Sequence, residues 1–193
     1  MGTVTVKKKT IYVWGLIAII ALIGFFSFAG SDDTVSAGVV QYDAAEHGDA
    51  QVGLDIGNRA PDFSVETSDG RQLSLSDFRN SGKTVVLYFM ASWCPNCKRD
   101  LASANSAYPA YSDDVEFLTV SLEPRDNAPY LERYKNTGGH SWDFALSNPL
   151  VSSSYAVRYT TTKFAIDKDG IIRATNIGIL SSSQWENFFN AVV

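Results

Sequence analysis

The chain has 193 residues, 45% hydrophobic and 12% aromatic, with 16 basic against 21 acidic side chains and a net charge of −5. That length allows one domain with a packed core plus appendages. The acidic balance makes nucleic acid and anionic membrane surfaces poor candidate partners.

Lys7, Lys8 and Lys9 precede an uncharged run whose centre is "IYVWGLIAIIALIGFFSFAG", residues 11–30. Twenty such residues span about 30 Å as a helix, one hydrocarbon core, and the run shows no polar face. The pattern predicts a cytoplasmic basic N-terminus (1–10), a single transmembrane signal anchor (11–30) and an extracytoplasmic remainder. A cleaved signal peptide is the competing reading: Ser27-Phe28-Ala29 suits cleavage, but the run exceeds the roughly 7–15 apolar residues usual there. Six acids (Asp32, Asp33, Asp43, Glu46, Asp49 and Asp55) then fall in 31–57, where there is no Lys or Arg. Such a segment predicts a solvated, flexible linker.

From Asn58 the pattern is that of a compact α/β domain, 58–193. "DFSVET" and "RQLSL" flank Ser68-Asp69-Gly70 as a hairpin, and Ser76-Asp77-Phe78 opens a helical turn. "TVVLYFMA" (84–91) is a near-continuous apolar run rich in β-branched and aromatic residues, as for a strand buried on both faces. "KRDLASANSAYPAY" follows at helical spacing, with Leu101, Ala104 and Ala107 or Tyr108 inward and Pro109 kinking or ending it. A strand at 115–122, a helix in "APYLERYKN" closed by Gly138-Gly139, and a short extended "WDFALS" come next. A helical turn is expected in "SSSYAVRY". "TKFAID" and "IIRATNIG" form a hairpin around Lys168-Asp169-Gly170, and "SSQWENFFNAVV" is a last amphipathic helix. The alternation predicts a mixed central sheet flanked by helices.

Both cysteines, Cys94 and Cys97, lie between the buried strand and the following helix, in "SWCPNCKRD". A thiol at a helix's first turn meets unpaired N–H groups and the positive end of the dipole, which favour thiolate. Three residues on, the second cysteine lies on nearly the same face and can attack a mixed disulfide formed by the first. Cys94 is thus the expected attacking residue and Cys97 the resolving one.

The blocks "APDFSVETSDGRQLSLSDF" (60–78), "KTVVLYFMASWCPNCKRD" (83–100) and "YAVRYTTTKFAIDKDG" (155–170) resemble, in order, those of membrane-anchored thioredoxin-like reductases of the TlpA and ResA type, in the AhpC/TSA and redoxin superfamily. The resemblance covers most of 58–193. It implies a thioredoxin-like fold with an N-terminal hairpin and an extracytoplasmic protein-disulfide reductase. No cofactor is implied; the implied partners are a protein thiol or disulfide and a membrane electron donor, and a monomer is the expectation. Peroxiredoxins share the "APDF" opening, but their Pro and Thr or Ser, seven and three residues before the attacking cysteine, are Leu87 and Ala91 here. Thioredoxin's buried Asp six residues before the first cysteine is Tyr88 here, a poor base. ResA-like proteins carry an acid six residues after it, which is Asp100, the expected proton acceptor for Cys97, directly or through water. An ordinary solvent-facing Asp in a first helical turn is the alternative. Trp93 is expected to shield the disulfide and offer apolar surface to a partner, or else to pack in the core; Pro95 and Asn96 tune the potential.

The main departure from the family is at its cis-proline, whose slot holds Thr161, preceded by Thr160. A cis bond before a non-proline costs roughly 3 kcal/mol or more, so a trans peptide in a reshaped loop is expected. Thr160 and Thr161 then shape substrate access, and the Thr161 hydroxyl comes within reach of a cysteine sulfur. Losing the ring also opens a coordination position, so a copper-binding or metallochaperone module on Cys94 and Cys97 is a second reading. His47 and His140 form no His-x₃₋₅-His pair, and His140 is expected as a solvated loop residue. A structural disulfide is a third reading, of modest stabilising value because the ring is short. Apocytochrome thiols, a copper-site protein and general disulfides all remain open as substrates.

Overall fold

The computed structural model describes residues 50–193. The basic N-terminus, the expected anchor and the linker up to residue 49 lie outside the described residues. Residues 51–57 are hydrogen-bonded to the domain: Gly53 N–H donates to Arg59 O at 3.0 Å and Gly57 N–H to Ile172 O at 2.8 Å. Leu54 and Ile56 pack on the core there, so the last residues of the acidic segment join the domain through their apolar side chains.

The elements run β1 (Ser64–Glu66), β2 (Gln72–Ser74), α1 (Leu75–Ser81), β3 (Thr84–Met90), α2 (Pro95–Ala107), β4 (Val115–Ser121), α3 (Ala128–Gly138), β5 (Asp143–Ala145), α4 (Pro149–Ser154), β6 (Thr162–Ile166), β7 (Ile172–Ile177) and α5 (Ser182–Asn190). β1 and β2 form the expected antiparallel hairpin. The other strands form a mixed sheet in the order β5-β4-β3-β6-β7. β3, β4 and β5 are parallel, whereas β6 and β7 are antiparallel additions. The parallel pairs need helical crossovers, and α2 and α3 supply them.

Local chemistry sets the helix ends. α1 and α5 begin with capping boxes, Ser74 with Asp77 and Ser181 with Gln184. α4 lies earlier than "SSSYAVRY" suggests. Asn148 accepts from the Leu150 N–H and Pro149 takes the first helical position, so the helix starts there and is over by Tyr155.

Because side chains alternate along a strand, β3 serves two cores. Val86, Tyr88 and Met90 meet α2, α5, Phe117, Trp142 and Trp185 on one face. Val85, Leu87 and Phe89 meet Phe63, Phe78, Val151 and Tyr155 on the other. Register carries the first face across the sheet: Tyr88 is the cross-strand partner of Thr119 on β4 and of Lys163 on β6, and Lys163 is that of Asn176 on β7. A polar row therefore runs through the core beneath α2.

His140 is not solvated. It is 8% exposed, with Nδ1 2.8 Å from Asn105 Oδ1 and its ring among Tyr134, Trp142 and Phe144. Gly139, at φ 66°, reverses the chain so that the His140 N–H caps Lys135 O at 3.0 Å. Burial depresses its pKa from 6.5 to about 4. A group held neutral in the fold but free to protonate when unfolded weakens the fold as pH drops between those values. The thermal midpoint is expected to fall from about pH 6.5 towards pH 4, and His140→Phe to lessen that fall in a pH series of melting curves.

Candidate active site

Cys94 is the N-cap of α2: its Sγ accepts the Cys97 N–H at 3.1 Å, and Pro95 occupies the first helical position. The motif thus stands where β3 ends and α2 begins, with unpaired N–H groups aimed at the sulfur. Both cysteines are free and buried. Cys94 Sγ and Thr160 Oγ1 lie 3.3 Å apart, the thiol donating when protonated and the hydroxyl turning to donate once thiolate forms.

The two thiols are set apart electrostatically. Burial pushes Cys94 up, but hydrogen bonds from the Cys97 thiol, the Thr160 hydroxyl and the backbone of Cys97 and Asn96 outweigh it, and the net shift is downward. Cys97 is pushed up to about 11, by burial first and then by its bond to Cys94. One sulfur is therefore the readier nucleophile, and the other holds its proton.

Asp100 does not face solvent. Its side chain is 0% exposed, and its donors come from β3, β6, α5 and the loop before α5. Oδ1 accepts from the Leu180 N–H at 2.9 Å and Trp185 Nε1 at 2.8 Å. Oδ2 accepts from the Tyr88 hydroxyl at 3.1 Å and pairs with Lys163 Nζ at 2.9 Å. The Tyr88 hydroxyl also interacts electrostatically with the Cys97 thiol, and burial foremost raises its own pKa. The phenol thus stands between thiol and carboxylate, where direct or water-borne contact was expected.

Lys163 was not foreseen. Its side chain is 0% exposed, and Nζ also donates to Gly178 O at 2.6 Å and Asn176 Oδ1 at 3.1 Å. The Tyr88 and Trp185 rings face it at 5.4 and 5.1 Å. A signal was present in "TKFAI": a single charge inside a strand of a doubly covered sheet requires a buried partner.

Trp93 is 66% exposed, so it is not a core residue. Its Nε1 donates to Glu123 Oε2 at 3.0 Å, while Ser92 N–H and Oγ donate to Asp126 at 3.3 and 2.6 Å. The loop after β4 thereby braces the loop before Cys94.

Thr161 meets no sulfur; Thr160 does. No described peptide bond is cis, and Thr161 takes φ 66°. That left-handed conformation costs a β-branched residue about 1–2 kcal/mol. It is offset by three hydrogen bonds: N–H to Phe89 O at 2.8 Å, Oγ1 to Thr160 O at 2.5 Å, and Gly178 N–H to Oγ1 at 3.1 Å. Proline, without an N–H and fixed near φ −65°, has no place in this loop. Among the described residues no group of three or more His, Cys, Asp or Glu is placed to hold a metal ion. The His140 ring is engaged with Asn105 and its aromatic neighbours.

Residues 56–175 match the AhpC/TSA family. The thiol-disulfide oxidoreductase ResA of Geobacillus thermodenitrificans (strain NG80-2) is 30% identical over 140 residues, 71% of this chain and 78% of that protein. The thioredoxin-like protein YneN of Bacillus subtilis (strain 168) is 26% identical over 137 residues, 70% of this chain and 79% of that one. Among solved structures, StoA from Bacillus subtilis aligns with a TM-score of 0.55 at 27% identity, covering 66% of this chain and 96% of its own. The thioredoxin domain of a thiol-disulfide oxidoreductase from Bacteroides vulgatus aligns at 0.62 with 22% identity, over 72% and 97%, which establishes the fold.

Thr160→Val removes a hydrogen bond to the Cys94 sulfur and is expected to raise that thiol's pKa, read from the pH dependence of its alkylation rate. An unmoved titration would show that the hydroxyl does not tune it.

Proposed function

The chain belongs to the AhpC/TSA family, with a thioredoxin-like domain related to the ResA oxidoreductases, and from that premise we propose that it is an extracytoplasmic thiol–disulfide oxidoreductase that reduces protein disulfides. The observation that carries this is the unequal pair: Cys94 at the N-cap with its pKa lowered, and Cys97 buried with its pKa raised.

The Cys94 thiolate attacks a substrate disulfide; one substrate sulfur leaves with the bonding electrons and takes a proton from water. Cys97 then loses its proton and attacks Cys94 Sγ, and the second substrate thiolate departs. Two electrons have passed to the substrate, and the protein holds a Cys94–Cys97 disulfide. Asp100 is the acceptor of the Cys97 proton, and the Tyr88 hydroxyl is the bridge between them. Leu87 and Ala91 are buried and carry no hydroxyl, which disfavours peroxide chemistry at Cys94.

A polypeptide substrate suits the surroundings. Trp93, next to Cys94 in the chain, and Tyr159, next to Thr160, are both large exposed rings. Pro95 stiffens the approach from the helix side, and the Thr160-Thr161 loop sets access from the other. Residues 11–30 anchor the domain to the membrane, and a membrane electron donor re-reduces the pair; the domain works as a monomer.

Asp100→Asn is expected to slow disulfide reduction about tenfold or more with the fold intact, as fits loss of a proton acceptor; unchanged turnover removes Asp100 from the mechanism. The reduction potential of the Cys94–Cys97 pair, set against a dithiothreitol or glutathione buffer, is expected near or below about −270 mV, the region of thioredoxin. A value near about −120 mV would make the protein an oxidant instead.

A further inference from the structure

The polar row beneath α2 brings Lys163, Tyr88, Asp100 and Cys97 into one buried cluster. We propose that Lys163 is a positioning residue for the resolving step, the fixed counter-charge that lets a proton pass from Cys97 to Asp100 without changing the cluster's net charge. This rests on the oxidoreductase reading above.

Before transfer the cluster holds a lysine cation and an aspartate anion, 2.9 Å apart and shut off from water. Cys97 and Tyr88 are neutral. During transfer the Cys97 S–H bond breaks and its proton joins the Tyr88 oxygen, whose original proton passes to Asp100 Oδ2. The negative charge has moved from the carboxylate to the sulfur, and the ammonium still compensates it; burial lowers the Lys163 pKa, while its contacts with Asp100 and Cys97 act in the opposite direction and favour the ammonium. Without that cation, the same step would leave an uncompensated anion in the core, which costs several kcal/mol. Once Cys97 enters the disulfide, the cluster would carry an excess positive charge, so Asp100 releases its proton to solvent and the starting charge is restored.

The placement of Lys163 favours this role over simple packing. Its Nζ is held on three sides, by Asp100, Asn176 Oδ1 and Gly178 O, with the Tyr88 and Trp185 rings on the others. The ammonium therefore keeps neutral partners and two ring faces when Asp100 takes up a proton. The titratable groups that interact with Cys97 are Cys94 at the N-cap of α2, Tyr88 on β3, Lys163 on β6 and Tyr134 on α3, and Asp100 is bonded to two of them, Tyr88 and Lys163. Lys163 is the one cation in that set.

The test is single-turnover oxidation of the reduced protein by a peptide disulfide, followed across pH for wild type, Lys163→Gln, Asp100→Asn and the double variant. Lys163→Gln is expected to slow resolution about tenfold at neutral pH and to move its pH midpoint up by about one unit or more. In the Asp100→Asn background the same change should alter the rate by less than about threefold, because the two residues act on one proton. An equal loss at every pH with an unmoved midpoint, or a further tenfold loss on top of Asp100→Asn, overturns the proposal. If Lys163→Gln alone does not fold, Asp100→Asn against the double variant, in which no lone charge is buried, decides by the same criterion. A wild-type protein inert towards disulfides overturns the oxidoreductase reading and Lys163's role with it, whereas an active one with an unmoved midpoint overturns the role of Lys163 alone.

Discussion

An ammonium and a carboxylate sealed from water are tolerable in a fold only when each has the other and both have their remaining hydrogen-bonding capacity filled. The Lys163–Asp100 pair meets that condition by drawing on nearly every element near the site. β3 gives Tyr88, β6 the lysine, β7 and the residue after it Asn176 and Gly178 O, and α5 with the loop before it Trp185 and Leu180 N–H. A shift of one residue in the β3–β6 register would turn Lys163 to the opposite face and leave Asp100 without a counter-charge. The pair thus couples sheet register to the position of α2, and so to the cysteines at its start. Charge burial of this kind adds little net stability, but it penalises the wrong arrangement heavily.

The elements and their order were legible because hydrophobic periodicity and turn residues state them locally. β3, α2, the terminal hairpin and α5 lie close to where apolar spacing puts them. α4 starts earlier than the serine run suggests because Asn148-Pro149, a cap and a first-turn proline, outweighs the weak helical preference of "SSSY". The site was legible to the extent that its chemistry is confined to one stretch: Cys94, Cys97 and Asp100 sit within two helical turns. Lys163 is 63 residues beyond Asp100 and becomes its neighbour only through strand register, which sequence spacing does not reveal. Tyr88 is a poor base, but its position suits it to be a bridge, since a phenol both donates and accepts.

The threonine pair shows a different kind of departure. Where proline would fix the loop by its ring, hydrogen bonds hold Thr161 in a left-handed turn, and Thr160 is the residue left facing Cys94. The cost of that conformation is met by neighbours on β3 and after β7, so the loop is tied to the same strands that carry the buried cluster. Access to the sulfur and the chemistry beneath it share one scaffold.

The N-cap position of Cys94 has a mechanical consequence. As a thiolate, its sulfur is an anionic cap that satisfies the first turn of α2 and complements the helix dipole. As half of a disulfide it is a neutral and weaker acceptor. The opening turn of α2 is therefore tightest when the protein carries its pair of electrons and loosens when they are spent, so that electron load is written into the stiffness of a single helical turn.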